Sequence, residues 1–354
     1  MIAPDYPEAP PAPLRLRLDA QALGDNWRAL DQMAATARTG AAVKADGYGL
    51  GAGQVVPVLA RAGCRDWFVA HWAEVPAVIA HVPPETVAVL HGPIDHADVA
   101  WARSTGVRPV LNSLPQVARW LAGGGGVCHV MVDSGINRLG LAMADLADPL
   151  LAQLDIDLLI SHLASADEDV AQNAQQLAQF KLAQTMIPAR RYSLANSAGI
   201  ALGPDYHADL TRPGIALYGG VARRELAGVV RQVAHPEAAV LQVRNLHAGD
   251  QVGYNATFVA PHAMRLGVVA LGYADGYLRC WSNRGVLRAG AAPLPVVGRV
   301  SMDLSAIDLS AAPDVREGDW LTVDYDLPHA AAASGLSQYE LLTGLHRRFA
   351  RIVT

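Results

Sequence analysis

An alternation of short apolar runs with alanine-rich amphipathic stretches extends from about residue 14 to residue 234 and narrows the folds open to this chain. Each run has the length and β-branched content of a buried strand, and the stretches between runs are long enough to cross back over a sheet as helices. This alternation is typical of βα units around a parallel sheet. The candidate strands are 40–44, 67–71, 87–91, 108–112, 128–133, 157–162, 191–196 and 216–219.

The number of candidate strands favours one α/β architecture. Eight strands with crossovers in roughly 220 residues predict a (β/α)8 TIM-like barrel, whose active residues lie at the carboxyl ends of the strands. A doubly wound open sheet is the alternative. Crossover helices are predicted at 19–37, 52–62, 115–121, 139–151 and 168–187.

The sequence pattern changes after Pro236. Short β-like runs are now separated by turn signals such as Gly249-Asp250 and Glu317-Gly318-Asp319, which predict an all-β domain over 236–354. The barrel domain is predicted over 14–235, although its first run, 14–18, could instead join the β domain. Residues 1–13 are rich in proline, alanine and acidic residues, without the features of a secretion signal, and predict a disordered tail.

Composition indicates the kind of partner and compartment. The 28 basic and 33 acidic side chains give a net charge of −5, and no basic cluster is interleaved with aromatics, so nucleic-acid binding is not expected. No apolar run approaches the ~20 residues that cross a bilayer. Three scattered cysteines predict neither a disulfide framework nor a zinc site. We therefore expect a cytoplasmic protein with a small-molecule partner, no membrane association and no metal.

Only two of the 28 basic side chains are lysines, Lys44 and Lys181. Arginine stays protonated at accessible pH, whereas a lysine can lose its proton when its surroundings lower its pKa, and it then serves in Schiff-base or general-base chemistry. Lys44 ends a strand-like run and precedes two glycines, which makes it the first candidate for chemistry. Lys181 lies in a polar helical stretch and is interpreted as a surface residue.

Further candidate residues follow other predicted strands. Arg138 comes after the fifth, His162 ends the sixth and Ser197 follows the seventh. Ser197 has the residue type of a helix N-cap, and Gly214 leaves backbone N–H groups open, so together they can hold a phosphate. His162 taken alone is more consistent with a core histidine, and Tyr254 taken alone with a turn.

Six segments of the chain, in order, resemble those of the fold-type III pyridoxal-phosphate enzymes, and most closely the alanine racemase family. One such match would be weak, but six in the family's order form a specific signature. They are 42–49 with Lys44, 132–140 with Arg138, 212–219 with Arg212, 253–254 with Tyr254, 272–277 with Tyr273 and 298–303 with Met302.

The resemblance implies a two-base racemisation with pyridoxal 5'-phosphate. Lys44 would bind the cofactor covalently and act as the base on one face of the substrate α-carbon. Tyr254, supplied by the partner subunit of a head-to-tail homodimer, would be the base on the other face. His162 and Arg212 would stabilise its phenolate. Arg212 would also lie at the pyridine nitrogen and keep it unprotonated, because a guanidinium does not readily give up its proton.

The resemblance also implies how the cofactor and substrate are held. The phosphate would lie against Tyr48, Ser197 and the N–H groups of Gly214 and Ile215. Arg138 would bind the cofactor's phenolic oxygen or the substrate carboxylate. In the second domain, the Met302 backbone and Tyr273 would lie near the substrate. No residue is expected to bind a metal.

Two positions depart from the family pattern, and several alternatives stay open. Met131 stands where many members have a lysine, often carbamylated, and Arg347 where a tyrosine often lies at the entrance. Alanine is the expected substrate, with serine or a broader range of amino acids as alternatives. A fold-related decarboxylase would have an acidic residue in place of Arg212. A pyridoxal-phosphate carrier without turnover would consist of the barrel alone, which the stretch after Pro236 contradicts. Both synthesis and catabolism of D-alanine are compatible with the motifs.

Overall fold

A computed structural model describes residues 10–354 of the chain. These residues form two compact units. The first, here called the parallel-sheet unit, is Ala20–Val233, and the second, the β unit, combines the described residues up to Asp19 with Ala234–Thr354. Of the tail predicted over residues 1–13, residues 1–9 lie outside the described part, and residues 10–13 form no helix or strand.

The parallel-sheet unit is built on seven parallel strands that are neighbours in sequence order. Parallel strands are covered on both faces, which is why they appear in the sequence as continuous apolar runs. Trp67–Val69 and Val87–Val89, for example, are buried at every position. The strands are Ala41–Ala42, Trp67–Val69, Val87–Val89, Arg108–Leu111, Val127–Met131, Asp155–Ile160 and Arg191–Ser193.

The prediction of an eighth strand at 216–219 is wrong. Ile215–Tyr218 is instead a 3-10 helix, in which Leu217 N donates to Gly214 O at 2.9 Å. A short apolar run has too few residues for its periodicity to separate strand from helix. A short strand precedes it, Leu210–Thr211, and this strand pairs in parallel with Arg38–Thr39.

Helices connect the strands, and local capping explains several of their limits. Asp95 accepts a hydrogen bond from Asp98 N at the start of His96–Thr105, and Gly106 ends that helix in the left-handed conformation. Ser113 caps Leu114–Ala122 in the same way. The α-helices of this unit are Ala20–Met33, Ala52–Ala62, Val75–Ile79, His96–Thr105, Leu114–Ala122, Ala171–Met186 and Ser197–Ala201, and Lys44–Tyr48 forms a turn whose φ angles are not those of an α-helix.

The helix predicted over 139–151 is also wrong. This segment contains the 3-10 turns Met143–Ala147 and Leu151–Gln153. Pro149 lies between them, where it lacks the N–H that a continuous helix needs, and the Asp148 carboxylate accepts a hydrogen bond from Leu150 N at 2.9 Å.

Six antiparallel strands of the β unit close into a ring. The long strand Ala234–Leu246 makes this possible because a bulge between Val240 and Gln242 lets its two halves pair with different neighbours. Closure leaves none of the six with an open edge inside the ring. In ring order the strands are Ala234–Leu246, Met264–Val269, Ser305–Asp308, Ala292–Val297, Val286–Ala289 and Trp320–Val323.

The strand Leu14–Leu18 belongs to the β unit. It pairs antiparallel with Ala234–Leu246 and in parallel with Ala350–Val353. Its leucines are buried, whereas Arg17 points outward and forms an ion pair with Glu237 at 2.7 Å. A shorter hairpin is formed by Gln251–Val252 and Phe258–Val259.

The description of residues 236–354 as all-β is corrected by two α-helices, Leu327–Ser334 and Gln338–Thr343. Their start signals are local. Asp326 caps the first helix, and Ser337 with Glu340 forms a capping box at the second. These residues follow the last strand of the ring, where the turn-rich pattern used for the β prediction has ended.

Apolar side chains pack into the interior of each unit. In the parallel-sheet unit, the core includes Leu111, Val130, Leu159 and Phe180. Between residues 10 and 354, no helix combines the length and the hydropathy that crossing a bilayer requires.

Candidate active site

Lys44 stands at the carboxyl end of the first parallel strand, at the start of a strained turn. The four residues that follow it all have positive φ, between 54° and 63°. For residues other than glycine this conformation costs about 1 kcal/mol or more each. Local hydrogen bonds hold the turn, because Gly49 N donates to Ala45 O and Ala52 N donates to the Asp46 carboxylate, each at 2.8 Å. The strain is concentrated next to the candidate amine.

The surroundings of Lys44 favour its neutral form. Burial lowers the pKa of its amine, and the charges of Arg138 and Arg212 lower it further. The Glu74 carboxylate acts in the opposite direction and raises it. The net fall brings the amine closer to the range in which it can accept a proton at neutral pH.

Arg212 is a buried cation held by neutral acceptors. Its side chain donates to the Ser161 carbonyl oxygen at 2.6 Å and to the Ser193 hydroxyl. Burial lowers its pKa to about 9, which leaves it cationic at neutral pH. Among residues 10–354, no carboxylate forms an ion pair with it. Both acceptors are uncharged, so these hydrogen bonds leave the charge of the guanidinium unneutralised.

His162 lies within the influence of three cations. Burial together with Arg212, Arg138 and Lys44 lowers its pKa to about 3, so the ring is neutral at physiological pH. The His162 carbonyl oxygen accepts a hydrogen bond from the Gln176 side chain at 3.0 Å. This contact holds the backbone of His162 in place. The structure thus places this histidine with the candidate site residues.

Tyr48, Ser197 and Gly214 form a compact cradle. The Ser197 hydroxyl accepts hydrogen bonds from Gly214 N at 2.9 Å and Ala216 N at 3.2 Å. The Tyr48 ring stacks on Tyr218 with centroids 4.8 Å apart. A Cβ on Gly214 would lie 2.1 Å from the Tyr48 hydroxyl, so only glycine permits this approach. Ile215, the next residue, begins a buried 3-10 turn.

A loop organised by Asp133 presents Arg138. The Asp133 carboxylate accepts hydrogen bonds from Gly135 N, Ile136 N and Arg138 N at 2.8, 2.9 and 3.1 Å. The Arg138 side chain is exposed, yet its charge acts on both Lys44 and His162. The loop therefore directs a cation toward the same region as Lys44.

The remaining candidates lie in the β unit. Tyr254 is 67% exposed in a turn that follows Gly253. Tyr273 N donates to Ser301 O at 3.0 Å, and the neighbouring Ala274 N donates to Met302 O at 2.9 Å, so Tyr273 and Met302 lie on adjoining segments. Met302 is 53% exposed. The unit thus presents two of its three candidates on adjoining segments, and both Tyr254 and Met302 are open to solvent.

Family comparison decides the identity of the fold. Models of the alanine racemase N-terminal domain and C-terminal domain match residues 18–222 and 233–353. This chain belongs to the alanine racemase family. It is 43% identical to an alanine racemase of Cereibacter sphaeroides over 95% of this chain and 97% of that protein.

Two proteins of Agrobacterium fabrum, a biosynthetic and a catabolic alanine racemase, are each 40% identical to this chain. The matches cover 96% and 95% of this chain, and 93% and 91% of those proteins. A crystal structure of alanine racemase from Bartonella henselae with covalently bound pyridoxal phosphate is also similar. Its TM-score is 0.88 at 33% identity, over 98% of this chain and 100% of that one.

The structure also describes the two positions singled out from the sequence as departures, Met131 and Arg347. Met131 is buried, next to the backbone of Gly140. Arg347 is exposed. The next residue, Arg348, pairs with the fully buried Asp275 at 3.1 Å and with Asp303 at 2.8 Å, and so fixes the loop that carries Met302.

Glu74 is the site residue that the sequence did not reveal. It lies beyond the second parallel strand, in a 3-10 turn, and accepts a hydrogen bond from the residue after Lys44. Its place shortly after the carboxyl end of a barrel-type strand was the available signal. No motif identified it, because its partners are backbone groups.

Proposed function

We propose that this chain is an alanine racemase, an isomerase that interconverts L- and D-alanine with pyridoxal 5'-phosphate as cofactor. The observation that carries the proposal is the partly buried amine of Lys44, whose pKa is lowered, in a parallel-sheet unit that also holds Arg212, which pairs with no carboxylate among residues 10–354. Family membership over nearly the whole chain supports it.

The residues present fit the cofactor. Its phosphate would lie against the cradle of Tyr48, Ser197, Gly214 and Ile215, in which the lack of a side chain on Gly214 lets the Tyr48 hydroxyl approach the backbone and Gly214 N donates to the Ser197 hydroxyl. When bound, pyridoxal phosphate supplies an aldehyde that links covalently to amines and a ring that withdraws electrons from the substrate α-carbon. Lys44 is the amine that would carry it. Arg138 would hold its phenolic oxygen or the substrate carboxylate.

Two bases would divide the proton transfer. Lys44 would take or return the α-proton on one face, for which its lowered pKa suits it. Tyr254 of the partner subunit would do so on the other face. The exposure of Tyr254, and its place in a different unit from Lys44, support a head-to-tail homodimer in which one chain completes the site of the other. Neutral His162 and cationic Arg212 would stabilise the phenolate. Met302 and Tyr273 would contact the substrate.

Arg212 favours racemisation over decarboxylation. A guanidinium with a pKa of about 9 remains a cation at neutral pH and would leave the pyridine nitrogen unprotonated. An unprotonated ring stabilises a carbanion less strongly, which disfavours the competing reactions. A decarboxylase of the same fold type would require an acidic group at this position.

Two further inferences concern closure of the parallel sheet and the role of the enzyme in the cell. We infer that the parallel sheet closes as an eight-stranded barrel through residues 209–213. Arg38 N donates to Asp209 O on one side, and Arg212 N donates to Ala195 O on the other, each at 2.9 Å. We also propose a cytoplasmic enzyme that supplies D-alanine.

The test measures chirality and covalent attachment together. The purified protein is incubated with single L-amino acids, including alanine, serine and lysine, and chiral chromatography follows the D-enantiomer while carbon dioxide release is recorded. Borohydride reduction and peptide mapping then locate the cofactor adduct. We expect D-alanine to form fastest and the adduct to lie on Lys44. Lys44→Arg should abolish both results, with Lys181→Arg as the matched control. An adduct elsewhere, or carbon dioxide without racemisation, would refute the proposal.

A further inference from the structure

Both carboxylate oxygens of Glu74 are engaged at the base of the Lys44 turn. One accepts a hydrogen bond from Ala45 N and the other from Ala70 N, each at 2.7 Å. Ala45 follows Lys44 directly, and Ala70 follows the second parallel strand, Trp67–Val69. The side chain is only 14% exposed. A single carboxylate therefore ties the residue after Lys44 to the end of the neighbouring strand.

This tie acts where the backbone is strained. Ala45 has φ of 54°, and the next three residues also lie in the left-handed region. Such a conformation persists only where surrounding contacts hold it. The hydrogen bond from Ala45 N is charge-assisted, which makes it roughly twice as strong as a neutral one. Losing it would free the turn that orients the Lys44 side chain.

Glu74 also acts on Lys44 through its charge. Burial and the charges of Arg138 and Arg212 lower the pKa of Lys44, whereas the charge of Glu74 raises it. The nearby histidines are His162 and His91, and both have lowered pKa values with Lys44 among the causes.

The Glu74 carboxylate also has a histidine beside it. His71 Nε2 lies 3.8 Å from the Glu74 oxygen that accepts from Ala45 N. The rings of His71 and His91 are 6.1 Å apart. Glu74 also receives hydrogen bonds from the backbone N–H groups of Ala45 and Ala70, and its charge acts on the Lys44 amine.

We propose that Glu74 is the positioning residue of Lys44: it clamps the strained turn after the lysine and supplies the counter-charge to Arg138 and Arg212 that keeps the amine basic. The inference rests on Lys44 being the reactive amine of the proposed racemase. Without Glu74, the two arginines would make the amine a weaker base, and the turn would hold it less firmly.

The two-lysine composition allows a direct test. The full-length chain is produced with lysine labelled with carbon-13 at Cε, stripped of cofactor and titrated by NMR, so that only Lys44 and Lys181 give signals. Lys181→Arg assigns them. Glu74→Gln removes the charge and leaves only one oxygen to accept a hydrogen bond. We expect it to lower the titration midpoint of Lys44 by about half a pH unit or more, with Lys181 unmoved.

The matched control is Asp46→Asn, which removes a carboxylate from the same turn while keeping an acceptor for Ala52 N. The Asp46 carboxylate accepts from Ala52 N, whereas the Glu74 carboxylate accepts from Ala45 N, directly next to Lys44. A Lys44 midpoint in the Glu74→Gln protein equal to or above that of the Asp46→Asn protein overturns the proposal.

Hydrogen exchange tests the clamp separately. The Ala45 amide should exchange at least tenfold faster in Glu74→Gln, because its acceptor is lost or shared. If that variant does not fold, Glu74→Asp keeps the charge but shortens the reach. It should keep the Lys44 midpoint and still speed Ala45 exchange, and unchanged exchange refutes the clamp.

Kinetics supply a third readout on the cofactor-loaded enzyme. The pH profile of kcat for the direction that uses Lys44 should move to lower pH in Glu74→Gln, with KM changed less than twofold. If the substitution only damaged the fold, it would reduce the amount of active enzyme and leave the pH profile of kcat unchanged. If the chain does not racemise amino acids, only this readout fails, while the titration still decides the role of Glu74.

Discussion

A methyl group added at Gly214 would test the cradle that we assign to the cofactor phosphate. The Cβ of Gly214→Ala would lie 2.1 Å from the Tyr48 hydroxyl oxygen and 2.8 Å from its Cζ. Because ordinary contact begins near 3.4 Å, the hydroxyl would have to withdraw by more than 1 Å. The φ of Gly214, −127°, lies outside the left-handed region, so the collision itself is the main effect.

The cost has two parts that separate experimentally. Overpacking of this kind costs about 1–3 kcal/mol of folding free energy, since Tyr48 is also stacked on Tyr218. Displacing the hydroxyl removes one hydrogen bond to a charged phosphate, worth about 1.5–3 kcal/mol, which corresponds to roughly 10-fold to 100-fold weaker cofactor binding. Urea unfolding of the cofactor-free protein measures the first part, and absorbance titration with pyridoxal phosphate measures the second.

Gly53→Ala is the matched control. Gly53 lies inside the helix Ala52–Ala62, and the atom nearest to its added Cβ would be 3.8 Å away on His81. The substitution should stabilise the protein by about 0.5–1 kcal/mol and leave cofactor affinity unchanged. Unaltered cofactor affinity in Gly214→Ala would show that the phosphate does not lie in the cradle.

Three further predictions concern other parts of the molecule. Tyr254→Phe should slow racemisation by about 10²-fold to 10⁴-fold while the urea midpoint stays constant, and chiral chromatography showing a wild-type rate would contradict the two-base assignment. Burial lowers the pKa of His129 to about 3, below its value of about 6.5 in the unfolded chain, so protons favour unfolding as the pH falls from 6.5 toward 3. His129→Asn should therefore reduce the stability lost between pH 7 and pH 5 by up to about 2 kcal/mol in urea titrations at the two pH values, and an unchanged loss would contradict this. Asp275→Ala should cost about 1–3 kcal/mol, because it leaves the buried Gly272 N without its acceptor and removes the pairing with Arg348, and denaturation curves matching wild type would rule this out.

The fold could be predicted from the sequence where burial leaves a periodic signal. The prediction of a parallel βα sheet followed by a β unit is confirmed, because strands such as Val87–Val89 are covered on both faces and stand out as apolar runs. The segment 216–219 has the same apolar character, and it was predicted as a strand for that reason. The structure has a 3-10 helix there, Ile215–Tyr218, with a glycine on either side. The strand Leu14–Leu18 joins distant partners, which no local pattern indicates.

The candidate site was predictable where a residue's chemistry is unusual for its position. Lys44 stood out because the chain uses almost no other lysine, and its pKa is lowered as expected. The grouping of Arg212, His162 and Arg138 around it depends on strand ends meeting at one edge of a sheet. Their roles with the cofactor stay predictions. Glu74 was not found, because a carboxylate that binds backbone N–H groups has no sequence spacing of its own.

The pairing of Leu14–Leu18 with Ala350–Val353 has a consequence during translation. This strand leaves the ribosome long before its parallel neighbour, because residues 19–349 lie between the two strands in the sequence. At about 5–20 residues per second, the interval is roughly 15–70 s. Ala234–Leu246, its antiparallel neighbour, is made earlier, so during the rest of the interval one edge of the strand stays open to other nascent chains. Arg15 and Arg17 alternate with its three buried leucines, and repulsion between such charges discourages strand-to-strand association until Ala350–Val353 has been made.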